Sequence, residues 1–219
     1  MRLNPFNTNN INVRSSGGGV PGGKAGGIGC GTIVIAAIGY FVFGLDPMQT
    51  AGMVEGVQQG QQQAGPANTD EQEVCTSSEY ALEACNGLQS LNQTWAATFD
   101  AQGYGDQFQQ PTLDLYGGGG VRTGCGNGTS AMGPFYCPAD QTIYIDTSFY
   151  DTLERQLGAG GDFARYYVLA HEYGHHIQTI TGISGQIRSA QQQNPSRANQ
   201  LQVLMELQAD CYAGVWAGK

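Results

Sequence analysis

Val168–Gln178 reads VLAHEYGHHIQ and contains all 3 histidines of the 219-residue chain. His171 and His175 stand one helical turn apart, with Glu172 directly after the first. A helix is expected from Gly161-Asp162 through the histidines to about Thr181, with Gly182 as its stop. On such a helix the two imidazoles share one face, about 6 Å apart along the axis. Both can point at one cation, and Glu172 leans toward the same cleft. Two nitrogen ligands beside a carboxylate base are the parts of a metal-assisted hydrolysis.

A catalytic zinc needs a third protein ligand and an open position. Position 181 is threonine, so a third histidine six residues beyond His175 is absent. The acidic side chains after His175 are Glu206 and Asp210, in MELQADCYAGVW. They share a face of a last helix expected over Ser196–Ala217, with Pro195 at its start. Glu206 fits as third ligand. Asp210 is placed to accept the second ring N–H of a ligand histidine and so fix its tautomer. His176 projects about 100° around the helix from His175 and reads as a surface residue or one behind the site. Zn2+ suits this donor set. The expected chemistry has Glu172 as general base for a water attacking an amide carbonyl. The rival reading is a zinc-binding envelope interaction or regulatory protein without proteolysis. It needs ligands but no base, and a closed structural site would need a fourth ligand, for which Cys211 is the candidate.

The rest of the chain sets the context. Charged residues are 12% and the net charge is −9, with 9 Lys+Arg, so no basic stripe exists for nucleic acid. Residues 1–27, rich in Gly, Asn and Ser, read as a disordered cytoplasmic tail. Residues 28–44, IGCGTIVIAAIGYFVFG, carry no charge and would form a helix about 25 Å long, near the short end of a bilayer span. Arg2, Arg14 and Lys24 precede it while Asp46 and Glu55 follow, which puts the N-terminus in the cytoplasm and the rest outside. A buried soluble helix lacks a partner element nearby, a cleaved signal peptide would have a shorter n-region, and a lipid on Cys30 would need the apolar run before it. The expectation is a single-pass cell-membrane protein with a periplasmic or extracellular domain. Residues 45–74 read as a flexible linker, and 75–219 as the folded domain.

Outside the cytoplasm disulfides are permitted. Local proximity suggests Cys75–Cys85 and Cys125–Cys137, leaving Cys211 as a small buried hydrophobe. Ser77–Phe99 reads as a helix with Leu88, Leu91, Trp95 and Phe99 in the core. Gln141–Asp146 alternates as a half-buried strand and is the expected edge for an extended peptide. Tyr144 and Tyr150 read as packing residues. Ser148 with Asp151 opens a short helix to Leu157, ended by Gly158.

HEYGHHIQ, ELQADCYAGVW, MGPFYCPADQTIYID and RLNPFNTNNINVRSSGGG together resemble the bacterial neutral zinc metallopeptidase family, over the whole chain. The resemblance implies an α+β fold: a mainly helical, zincin-like domain with a small β-sheet behind a single transmembrane helix. It assigns zinc to His171, His175 and Glu206 and the base to Glu172; the expected substrate, a peptide or protein, follows from the chemistry above and is not supplied by membership. Members continue past the last helix whereas this chain stops at AGK, which reads as a C-terminal truncation.

Overall fold

The computed structural model describes residues 3–16, 70–117, 119–151 and 162–219. The expected membrane segment at 28–44, most of the linker and the helix beyond residue 151 lie outside these. No helix among the described residues is long and apolar enough to cross a membrane.

The fold is α+β. Helix α1 (Glu71–Thr76) begins at Asp70, whose side chain accepts from the Glu73 amide. Helix α2 (Glu79–Ala101) begins at Ser78, whose hydroxyl accepts from the Ala81 amide. The Cys75–Cys85 disulfide staples these two helices together. Leu88, Leu91 and Trp95 are buried as expected, and Phe99 packs partly buried against them.

A mixed sheet follows, built from β1 (Val13–Arg14), β2 (Thr112–Tyr116), β5 (Phe135–Cys137) and β6 (Thr142–Asp146) in the order β1-β2-β6-β5. β1, β2 and β6 run parallel, and β5 is antiparallel to β6. Leu113, Leu115, Ile143 and Ile145 face the helices. The hairpin β3 (Gly120–Thr123) and β4 (Gly126–Thr129) brings Val121 onto the opposite face, against Tyr116, Phe135 and Tyr144. This covering layer corrects the expectation of a half-buried strand: every residue of β6 is buried. β6 is also paired on both sides, so it offers no edge, and among the described residues its neighbour β5 is an edge strand instead. The Cys125–Cys137 disulfide ties that edge to the β3–β4 turn.

Helix α3 (Asp162–Ile180) carries the histidines and stops before Gly182, which adopts the left-handed conformation at φ 78°. A helix that the pattern did not reveal, α4 (Ile183–Gln193), follows at once, and α5 (Ala198–Ala217) closes the chain's described fold. α3 packs on α2 and α5.

Two sequence expectations need correcting. Residues 3–16 are not a disordered tail: Ile11 and Val13 are 3% and 4% exposed, and β1 is a strand of the sheet. The folded body therefore includes both this segment and residues 70–74, where Val74 is buried. Cys211 is exposed rather than buried, because it lies on the outer face of α5.

β1 is held by charge as well as by pairing. Arg14 Nε lies 2.6 Å from the fully buried Asp114 carboxylate. Arg14→Ala is expected to lower unfolding free energy by about 2 kcal/mol, the scale of a hydrogen bond to a charged group. Urea denaturation measures this; an unchanged midpoint would show that the Arg14–Asp114 pair contributes nothing.

Candidate metal centre

The helix pair α3 and α5 builds the site, and Gly174 sets their separation. A Cβ at Gly174 would sit 2.9 Å from both the Cα and the carbonyl oxygen of Ala209. Only hydrogen fits there. Ala209 and Ala213 are wholly buried along the same contact. This close crossing brings Glu206 and Asp210, either side of Ala209, against His171 and His175.

Glu206 Oε2 lies 3.3 Å from His171 Nε2 and 3.2 Å from His175 Nε2. The ligand atoms of the three residues all fall within 4.8 Å of one another. His171 Nε2, Glu206 Oε2 and Glu172 Oε1 are buried without a hydrogen-bond partner among the described residues. Orphaned buried polar atoms are costly and rare, so three of them in one place call for an occupant. Their chemistry fits a divalent cation such as zinc.

Each donor has its own outer partner. His171 Nδ1 lies 2.8 Å from Asp210 Oδ1, which also accepts from the Tyr167 hydroxyl at 2.9 Å. His175 Nδ1 lies 2.9 Å from Gln178 Oε1. Gln178 donates through Nε2 to the Met205 carbonyl and to Gln208 Oε1, which leaves its Oε1 as acceptor for the ring. Both rings are thereby set to present Nε2 to the centre. Gln202 Nε2 donates to Glu206 Oε1 at 2.6 Å, so the carboxylate's other oxygen faces the histidines.

The electrostatics favour positive charge at this point. Burial works against a charged His171, but Asp210 and Glu206 outweigh it and raise the ring to about 10. For Glu206 burial opposes ionisation, yet His171 and His175 hold the carboxyl below the usual range. Glu172, 1% exposed, is raised by burial and by Glu206, against the pull of His171, His175 and the Tyr136 backbone amide.

His176 is not a surface residue. It is 0% exposed, with Nε2 2.7 Å from the Gln109 carbonyl and Nδ1 3.1 Å from the Tyr136 hydroxyl. It locks α3 to β5 and to the approach of β2. Sequence pattern did bring out His171, Glu172, His175, Glu206 and Asp210, and all five converge. Gln178, Gln202 and Tyr167 were missed. Gln178 stands three residues after His175, a spacing that places a side chain on the same helical face; for Gln202 the signal is its position one turn before Glu206.

An open cleft borders the donors, with about 730 Å³ of empty space including its mouth. Pro134, Phe135, Tyr136 and Pro138 form one wall, and Ser184, Arg188 and Gln191 of α4 face them. Glu172, His175 and Glu206 also line this space.

Such a donor set, with a buried carboxylate at a cleft beside an edge strand, is that of a zinc-dependent metalloprotein. Residues 3–219 match the family described as "Putative neutral zinc metallopeptidase", and the chain belongs to that family. It is 46% identical over 198 residues to the "Uncharacterized protein YpfJ" of Escherichia coli K12, covering 90% of this chain and 64% of that protein. It is 50% identical over 111 residues to the "Uncharacterized protein Rv2575" of Mycobacterium tuberculosis, covering 50% of this chain and 36% of that protein. The chain thus spans less than two thirds of the length of these relatives. No solved structure matches it significantly.

Two outcomes test the geometry. Gly174→Ala is expected to wedge α3 from α5 and weaken zinc binding by about 10-fold or more, and Gln178→Leu by about 10- to 100-fold, the usual range for losing a ligand's outer partner; chelator competition reads both. His176 is pushed down to about 4 by burial, which the Gln109 carbonyl only partly opposes. Its folded value lies below its unfolded one, so it contributes stability above pH 6.5 that is lost as pH falls toward 4. Metal-free His176→Gln should show a shallower loss of stability over that window than the metal-free parent.

Proposed function

We propose that this chain is a zinc-dependent peptidase in which His171, His175 and Glu206 hold the metal and Glu172 is the general base. The observation that carries this reading is Glu172 itself. A purely structural zinc site needs no carboxylate beside its ligands, yet Glu172 is buried, lacks a partner for Oε1 among the described residues and lines the cleft.

When bound, zinc would supply Lewis acidity, polarising a carbonyl and acidifying water. The chain's own residues do the rest. Glu172 takes a proton from the attacking water through the oxygen that nothing else occupies, and its raised affinity for protons suits it to pass that proton to the leaving amine. The Tyr136 backbone amide favours the ionised form of that carboxylate. Asp210 and Gln178 hold the rings in one tautomer. A peptide substrate would lie extended along β5, whose residues Phe135 and Tyr136 border the cleft, and pair by strand addition. This moves the expected binding edge from β6 to β5, because β6 has a neighbour on each side.

We further propose that the catalytic body works outside the cytoplasm and meets a membrane through residues 28–44. The two disulfides, Cys75–Cys85 and Cys125–Cys137, support an oxidising compartment.

The zinc-loaded chain is expected to cleave unfolded casein. Glu172→Gln should keep one zinc per chain and lose cleavage by about 100-fold or more. Glu206→Ala should lose the metal as well. Cleavage by Glu172→Gln at the parent rate would eliminate the base assignment and favour the non-proteolytic interaction role.

A further inference from the structure

The N-terminal segment is built into the body by more than strand pairing. One face of α2 carries Asn86, Gln89 and Asn92, and all three read the backbone of residues 5–10. Asn86 Oδ1 accepts from the Phe6 amide at 2.8 Å, and Gln89 Oε1 from the Asn7 amide at 2.5 Å. Gln89 Nε2 donates to the Pro5 carbonyl and Asn92 Nδ2 to the Asn10 carbonyl, both at 2.9 Å. Beyond them, the Leu113 amide donates to the Asn12 carbonyl at 2.9 Å. Asp114 then accepts from Arg14 and from both the amide and the hydroxyl of Ser16.

Remove this segment and the body is left with a defect. Gln89, Asn92 and Asp114 are 4%, 2% and 0% exposed with the segment in place, so each is covered as well as bonded there and would lose partners without it. Buried polar groups of this kind are placed where a partner is always present. Asn92 also accepts from the Tyr173 hydroxyl at 2.8 Å, which links the segment to the metal-binding helix α3. The segment is a structural part of the domain that holds the candidate site.

A constraint on topology follows. β1 carries residues 13–14, and α1, which starts at residue 71, packs against β1. The connection through residues 17–69 therefore leaves and rejoins the body at neighbouring points. A single crossing of a bilayer would separate those points by a hydrocarbon core of about 30 Å, whereas paired strands lie about 4.8 Å apart. We infer that residues 3–16 lie on the same side of any membrane as the candidate metal centre, as a built-in strap of that domain. The expected arrangement, with a cytoplasmic N-terminus and an outer domain joined by one crossing at 28–44, is thereby excluded. The apolar stretch can meet a membrane only from the side of the domain. A strap donated by a second copy of the chain obeys the same constraint. The inference rests on the packing of 3–16 and stands apart from the peptidase reading.

The test is sidedness by thiol labelling of the whole chain in cells. In a Cys30→Ser, Cys211→Ser background, single cysteines are placed at Asn9→Cys on the strap and Asn194→Cys between α4 and α5, both exposed positions. A membrane-impermeant maleimide is applied to intact and to permeabilised cells, with denatured samples giving the full signal. The expected result is the same pattern for both positions. Labelling of both in intact cells supports the strap and the outer location; protection of both supports the strap and overturns the outer location. Labelling of position 194 with protection of position 9, or the reverse, overturns the strap. Hydrogen exchange on the purified parent chain needs no substitution: slow exchange at Phe6, Asn7 and Arg14 is expected, and exchange there at the rate of an unstructured peptide overturns the inference.

Discussion

One steric contact governs the centre of this molecule. Gly174 lets the backbone of α3 touch that of α5 at Ala209, and the two acids that face the histidines stand three residues before Ala209 and one after it. Helices normally pack 8–10 Å apart, with side chains setting the distance. Here both faces are stripped to Gly and Ala, so the spacing is set by main-chain atoms. That precision matters for a cation, whose donors must converge within a few tenths of an ångström. Apolar packing in the sheet and in α2 serves the same end by fixing α3 from its other side.

Around the donors the polar groups are divided by charge. His171 has an anionic partner in Asp210, His175 a neutral one in Gln178, and Glu206 a neutral donor in Gln202. Full anionic pairing of every ligand would put excess negative charge in a buried place, at a steep cost in desolvation. Carboxamides orient the other two donors at no cost in net charge. Gln178 does this while bound through Nε2 to α5, so the same side chain that orients a ring also fastens the two helices.

The site was far more legible in the sequence than the scaffold that supports it. His171, Glu172 and His175 occupy fixed helical offsets, and Glu206 and Asp210 stand out because no other acids follow. Rarity made them visible. Glutamine is common in this stretch, so Gln178 and Gln202 carried no such contrast, and their roles come from contacts across helices. α4 was missed for a related reason: in ISGQIRSAQQQ the apolar stripe is reduced to Ile183, Ile187 and Ala190, and Ser184 is its buried residue among mostly wetted neighbours. The N-terminal segment misled most. Its Gly, Asn and Ser content reads as disorder by composition, yet its backbone is satisfied by amide side chains some eighty residues away. Long-range pairing of that kind leaves no local trace. The short disulfide loops were readable because closing them needs only nearby chain, whereas the burial of β6 depended on a hairpin that composition alone gave no reason to fold over it.

The bond between Cys125 and Cys137 ends next to Tyr136, whose amide favours the ionised form of Glu172. β5 is only three residues long and flanked by prolines, so it has little pairing of its own to keep it in place. The covalent staple substitutes for missing strand length. Oxidation of this cysteine pair thereby fixes the strand that borders the cleft, and with it one wall of the proposed site.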